Sequence, residues 1–166
     1  MKYLPYLALA VIIAVFGLVR SSNFVRYFSD PDFFAPVSAQ ALDVARAGST
    51  ALLPVAPRRL DLYEITLDAV MRIDAPQRMD RLQGEVRITV LAGESVIERR
   101  TMNLDGEADV RQRGAVRRIF LGKYDLSSVP LDAPVSFDVR IIRPIRPWVS
   151  RAASVRCIVK AGYSAK

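Results

Sequence analysis

Residues 60–73 read LDLYEITLDAVMRI. Apolar side chains take the odd positions Tyr63, Ile65, Leu67, Ala69, Met71 and Ile73, while Glu64, Thr66, Asp68 and Arg72 take even ones. A period of two sends the two sets to opposite faces, which predicts a strand with one buried and one wet face. The alternation returns in three further runs. Val86, Ile88 and Val90 point inward in residues 84–93, and Val135, Phe137, Val139 and Ile141 in residues 134–142. Val155, Cys157 and Val159 do so in residues 154–161. Residues 95–104 and 115–124 are strand-like but place arginines side by side, at Arg99-Arg100 and Arg117-Arg118. A β-bulge or an edge position accommodates such a break.

Turn residues separate the runs: Ala75-Pro76, Gly93, Asp105-Gly106, Gly114, Pro130, and Pro144 to Pro147. Asp105-Gly106 reads as a hairpin turn. It does not begin an EF-hand, because a loop aligned on Gly106 would start at Thr101 and end at Gln112, where acids are required. Six or seven strands with almost no helix predict an all-β, antiparallel, immunoglobulin-like sandwich over residues 60–166, with a small β-barrel as the alternative. The inter-sheet disulfide of antibody domains is excluded, since Cys157 is the only cysteine. On a face shared with Val155 and Val159, that thiol is expected to be buried.

Upstream, Tyr3 to Val19 is uncharged, with Lys2 before it and Arg20 after it. Seventeen residues reach the short end of a spanning helix, and no small-residue cleavage pattern stands just behind them. Residues 1–28 are therefore expected to be an uncleaved anchor whose interfacial end carries Arg20, Phe24, Arg26, Tyr27 and Phe28. The three aromatics share one helical face, and the arginines suit headgroup phosphates. Residues 29–59 are expected to form a stalk. Alanine-rich Val37–Ala47 predicts a short helix stopped by Gly48, followed by a strut stiffened by Pro54 and Pro57. Flanking charges balance across the span. Short N-terminal anchors followed by a β domain usually leave that domain outside the cytoplasm, which gives a single-pass membrane protein with a periplasmic or extracytoplasmic domain.

Histidine is absent, which excludes Ser-His-Asp and Cys-His nucleophiles and Cys/His zinc sites. No phosphate-binding glycine loop or nucleophile elbow occurs. Glu64 and Asp68 share a strand face, as a glycosidase pair would, but beside Arg72 they read as a solvated face. Lys123-Tyr124-Asp125 reads as a strand end rather than an acid–base pair. No enzyme activity, cofactor or metal is expected.

Charge is unevenly spread. All 17 acids precede Val139, and the final 28 residues hold seven basic residues and none that is acidic, so the net +7 is a C-terminal feature. Within it, Arg143, Arg146, Trp148 and Arg151 combine guanidinium groups with the only tryptophan, a composition enriched at interfaces. The prolines predict a loop here between the last two strands. These four residues are expected to contact an acidic protein or anionic lipid headgroups. The other reading of Trp148 is that it closes one end of the sandwich. A membrane anchor argues against a nucleic-acid partner. In this plan the chain resembles small β-sandwich modules of the bacterial envelope. The expected function is a non-enzymatic interaction or accessory component of an envelope complex, and the alternative is a protein that binds a small ligand or anionic lipid.

Overall fold

The computed structural model describes residues 35–55, 62–73, 81–105, 110–130 and 132–162. The expected anchor, with Arg20, Phe24, Arg26, Tyr27 and Phe28, lies outside them. No helix among the described residues is long and apolar enough to cross a membrane. The chain divides into two compact units, Met1–Ala35 and Pro36–Lys166, and every described strand belongs to the second.

Among the described residues nine strands follow one another: β1 (Pro36–Ala41), β2 (Thr50–Val55), β3 (Leu62–Met71), β4 (Gln83–Ala92), β5 (Ser95–Asn103), β6 (Val110–Arg113), β7 (Val116–Asp125), β8 (Val135–Arg146) and β9 (Ala152–Ala161). A single turn of helix, α1 (Trp148–Arg151), joins the last two. The strands make a five-stranded sheet ordered β1-β9-β3-β7-β6 and a four-stranded sheet ordered β2-β8-β4-β5. All neighbours are antiparallel. Both sheets have free edges, so the architecture is a sandwich, and the barrel alternative is set aside.

The four alternating runs place their inward side chains as expected. Tyr63, Ile65, Leu67, Val86, Ile88, Phe137, Val139 and Cys157 are all buried. Side chains from the two inner faces interdigitate, as in other sandwiches. The Phe137 ring, from the four-stranded sheet, meets Tyr124 edge-on at 5.4 Å and Tyr63 at 6.3 Å, both from the opposite sheet. Ile73 is the exception: it lies beyond the end of β3 and is fully exposed.

The stalk is corrected. Where a helix was expected over Val37–Ala47, Pro36–Ala41 pairs as β1 with β9, Gly48 sits in the connection, and Thr50–Val55 pairs as β2 with β8. The sandwich thus begins at Pro36 rather than Leu60. Alanine favours helix by only a few tenths of a kcal/mol per residue, about the size that a ladder of tertiary hydrogen bonds overrides.

The arginine pairs resolve differently. β5 is an edge strand, and its register with β4 slips between Val90 and Leu91, leaving Ile97 as the extra residue. β7 is not an edge, since β3 and β6 flank it. Its bulge falls at Leu121, because Gly122 faces Ile65 while Phe120 faces Thr66. Alternation therefore continues through Arg117, which points inward and is buried. Asp105 does not turn a hairpin either: β5 and β6 belong to different sheets. The hairpins lie at Gly93 and Gly114, whose φ values of +59° and +62° suit glycine.

Candidate interaction surface

The expected loop at 143–151 is corrected in turn. β8 runs through Arg143 and Pro144 to Arg146, and α1 begins at Trp148. Proline is tolerated because β2 stops pairing at Arg140 and the register with β4 shifts around Glu85, so no ladder bond is lost. The four residues expected to act together are dispersed. Arg143 donates to Asp105 at 2.5 Å and to the Asn103 side-chain oxygen at 3.1 Å. Asp105 also accepts the Gly84 N–H at 3.0 Å, so the connection after β5 is tied to β4 and β8. The Arg143 hydrogen bond, helped by the Gly84 N–H, holds the Asp105 carboxyl below the usual carboxylate range. Arg146 ends β8, exposed. Arg151 lies in the last turn of α1, half-buried.

Trp148 is 1% exposed and belongs to the core. Its indole N–H is buried without an acceptor among the described residues. The ring also borders an open cleft of about 340 Å³ between residues 41–45 and residues 148–155, lined by Leu42, Asp43, Val44 and small side chains.

The residues that suggested chemistry are occupied. Asp68 is buried on the outer face of the five-stranded sheet and accepts two bonds from Arg118, at 2.7 and 2.5 Å. That bond raises the Arg118 pKa. Glu64 lies between Lys123 at 3.4 Å and Lys160 at 3.2 Å. Through Lys160 the basic C-terminal strand thus meets one acid of β3, and the C-terminal charge excess is partly neutralised within the fold. Tyr124 turns inward, away from Lys123, and burial pushes its phenol up to about 12. Burial likewise pushes the Cys157 thiol up to about 12.

Unpaired side chains gather instead on the outer face of the four-stranded sheet. Its register sets Thr101, Arg87, Arg140 and Thr50 in one cross-strand row and Arg99, Thr89, Asp138 and Leu52 in the next. The side chains of Arg87, Arg99 and Arg140 have no partner among the described residues. The Nε of Arg87 is buried without an acceptor among the described residues. Beside them on β5, Val96 and Ile97 are 51% and 46% exposed. Sequence reading missed this grouping, since its arginines come from three strands, β4, β5 and β8. The signal available was each one's place on the outward phase of an alternating run.

A protein from Sulfurospirillum deleyianum, known from its crystal structure, matches this chain with a TM-score of 0.51 at 12% identity. The match spans 76% of this chain and 97% of that one. Cocksfoot mottle virus, whose three-dimensional structure is known at 2.7 Å resolution, matches at 13% identity over 79% and 92% with a TM-score of 0.27. The first likeness is one of fold, and the second adds nothing to it. No family model matches the chain, and no curated protein does.

Proposed function

We propose that this chain is a single-pass, membrane-anchored interaction module, a non-enzymatic accessory component of a bacterial envelope complex with its sandwich outside the cytoplasm. We also infer an immunoglobulin-like variant. β3, β7 and β6 opposite β8, β4 and β5 correspond to the B-E-D and F-C-C′ strands of that fold, while β9 joins β3 instead of β8. The observation that carries the interaction reading is the division of the polar surface. Glu64, Asp68, Tyr124 and Cys157, the groups suited to chemistry, are paired or buried, whereas Arg87, Arg99 and Arg140, beside exposed Val96 and Ile97, have no partner among the described residues. An exposed apolar patch rimmed by charge is the usual mark of a protein contact.

The test is recovery of the tagged, intact chain from membranes in mild detergent after chemical cross-linking. A reproducible protein partner, captured in a salt-sensitive way, is the expected result. A chain recovered alone, or carrying lipid only, would refute the reading. The cleft at Trp148 favours the second reading, a small ligand or anionic lipid, because Leu42, Val44 and Trp148 give it an apolar wall. Lipid extracted with the purified chain, and lost on Trp148→Phe, would support it.

A further inference from the structure

We propose that the free edge of β5 takes up an extended acidic segment of a partner protein by strand addition, with the segment's carboxylates meeting Arg99 and Arg87. This rests on the interaction-module reading and names its surface.

Among the described residues the sandwich has four edge strands, and three of them are blunted. β6 has four residues, β2 has six and contains Pro54, and β1 has six and starts at Pro36. β5 has nine residues and no proline. An edge strand presents a row of unpaired N–H and C=O groups, and proteins normally shorten, bend or charge such a row. The charge on β5 has one sign where it matters. Its only acid, Glu98, is bonded to Arg100, and both belong to the inward phase, where the Arg100 guanidinium lies 5.3 Å over the Tyr124 ring. On the outward phase β5 carries Arg99, and the next strand in carries Arg87, separated from the free edge only by Thr101.

The arginines explain the sign of the partner. Arg87 and Arg140 stand directly opposite one another on neighbouring strands, and like charges so placed oppose pairing. No carboxylate among the described residues bridges them. A strand laid along β5, about 4.8 Å away, would set alternate side chains over this face. A glutamate opposite Arg99 makes a direct pair. One opposite Thr101 has a short residue between it and Arg87, which two long side chains span. A second copy of this chain is a poor occupant, because β5 against β5 brings the Arg99-Arg100 pairs of both molecules together. Main-chain bonds would supply affinity and the carboxylates specificity, the division of labour seen in strand addition generally. Exposed Val96 and Ile97 supply an apolar contact at the other end of the edge.

The experiment uses the full chain in mild detergent with fluorescein-labelled synthetic octapeptides. One alternates Glu and Val, one alternates Lys and Val, and one is the Glu–Val peptide N-methylated at alternate amides. The Glu–Val peptide should bind at least about tenfold more tightly than the Lys–Val peptide and weaken with salt. N-methylation should abolish binding, and hydrogen exchange should slow over residues 95–103. Arg99→Glu and Arg87→Glu should each weaken binding about tenfold. Arg156→Glu, on the outer face of the other sheet, should not, and circular dichroism checks the fold of each variant. The proposal is overturned by equal binding of the methylated peptide, by affinity unchanged in both variants, by protection outside 95–103, or by no peptide binding at all. A membrane partner captured equally by wild type and by the Arg87→Glu/Arg99→Glu double variant would sink the edge while sparing the module reading. Failure of capture by either would sink the module reading instead.

Discussion

Replacing Trp148 with alanine separates core from contact at the position where sequence pointed both ways. The indole is 1% exposed, so truncation removes a fully buried ring. Buried Phe or Trp to Ala changes cost about 3–5 kcal/mol, and more where the void stays empty. Here the ring borders an open cleft, so water and neighbouring side chains can enter, and the lower part of that range is expected. Trp148→Phe should behave differently. It keeps most of the apolar contact and deletes an N–H whose unsatisfied burial costs about 1–3 kcal/mol, so the net change should stay within about 1 kcal/mol. The unit from Pro36 to Lys166 has about 130 residues and an unfolding entropy of roughly 0.27 kcal/mol/K. A loss of about 3–4 kcal/mol then lowers Tm by roughly 11–15 °C. Urea and thermal melts of a 36–166 fragment, followed by circular dichroism, measure both variants. An alanine variant within about 1 kcal/mol of wild type, or a phenylalanine variant as damaged as alanine, would refute this account of the ring. If the alanine variant also lost partner binding at full stability, Trp148 would be a contact residue.

Three further outcomes follow from the same packing. Cys157 should resist thiol reagents at pH 8 in the native state and react fully in denaturant. Stability should also fall above about pH 9, where the unfolded thiol ionises and the buried one, shifted up to about 12, does not. Asp105 is held below the ordinary carboxylate range, so its contribution is present above that range and lost as pH falls through the depressed value; Asp105→Asn should flatten the acid limb of a stability–pH curve. Gly114→Ala forces a side chain to φ +62° and should cost about 1–2 kcal/mol by urea melt, without altering the unfolding slope.

The inner faces of the central strands were legible because alternation is local: Tyr63 through Ala69, or Val135 through Ile141, declare their phase within a few residues. β1 was not legible. Its residues are small and mostly exposed, so no period appears, and its pairing with Cys157 and Ile158 lies over a hundred residues away. Charge arithmetic located the basic excess but not its partners. Arg143 reaches Asp105 across 38 positions and Lys160 reaches Glu64 across a sheet, contacts that only register creates. Bulges defeat phase-counting in the same way: one extra residue at Leu121 moves the inward positions from odd to even numbers, so Tyr124, rather than Lys123, enters the core.

The place of β9 has a consequence for biosynthesis. The last strand among the described residues, β9, is an interior strand, bracketed by β1 and β3, which precede it by roughly a hundred residues. Until Ala152–Ala161 is made, β1 has no described neighbour in its sheet, and β3 presents a bare flank in the middle of what will be the five-stranded sheet. Until then the sheet lacks a plank, and closure awaits synthesis of β9. Contacts of such long sequence separation make for slow folding. Loss of the final fifteen residues would cost the whole sheet rather than fray one end, and a nascent chain stalled before β9 would be a natural client for holdase chaperones.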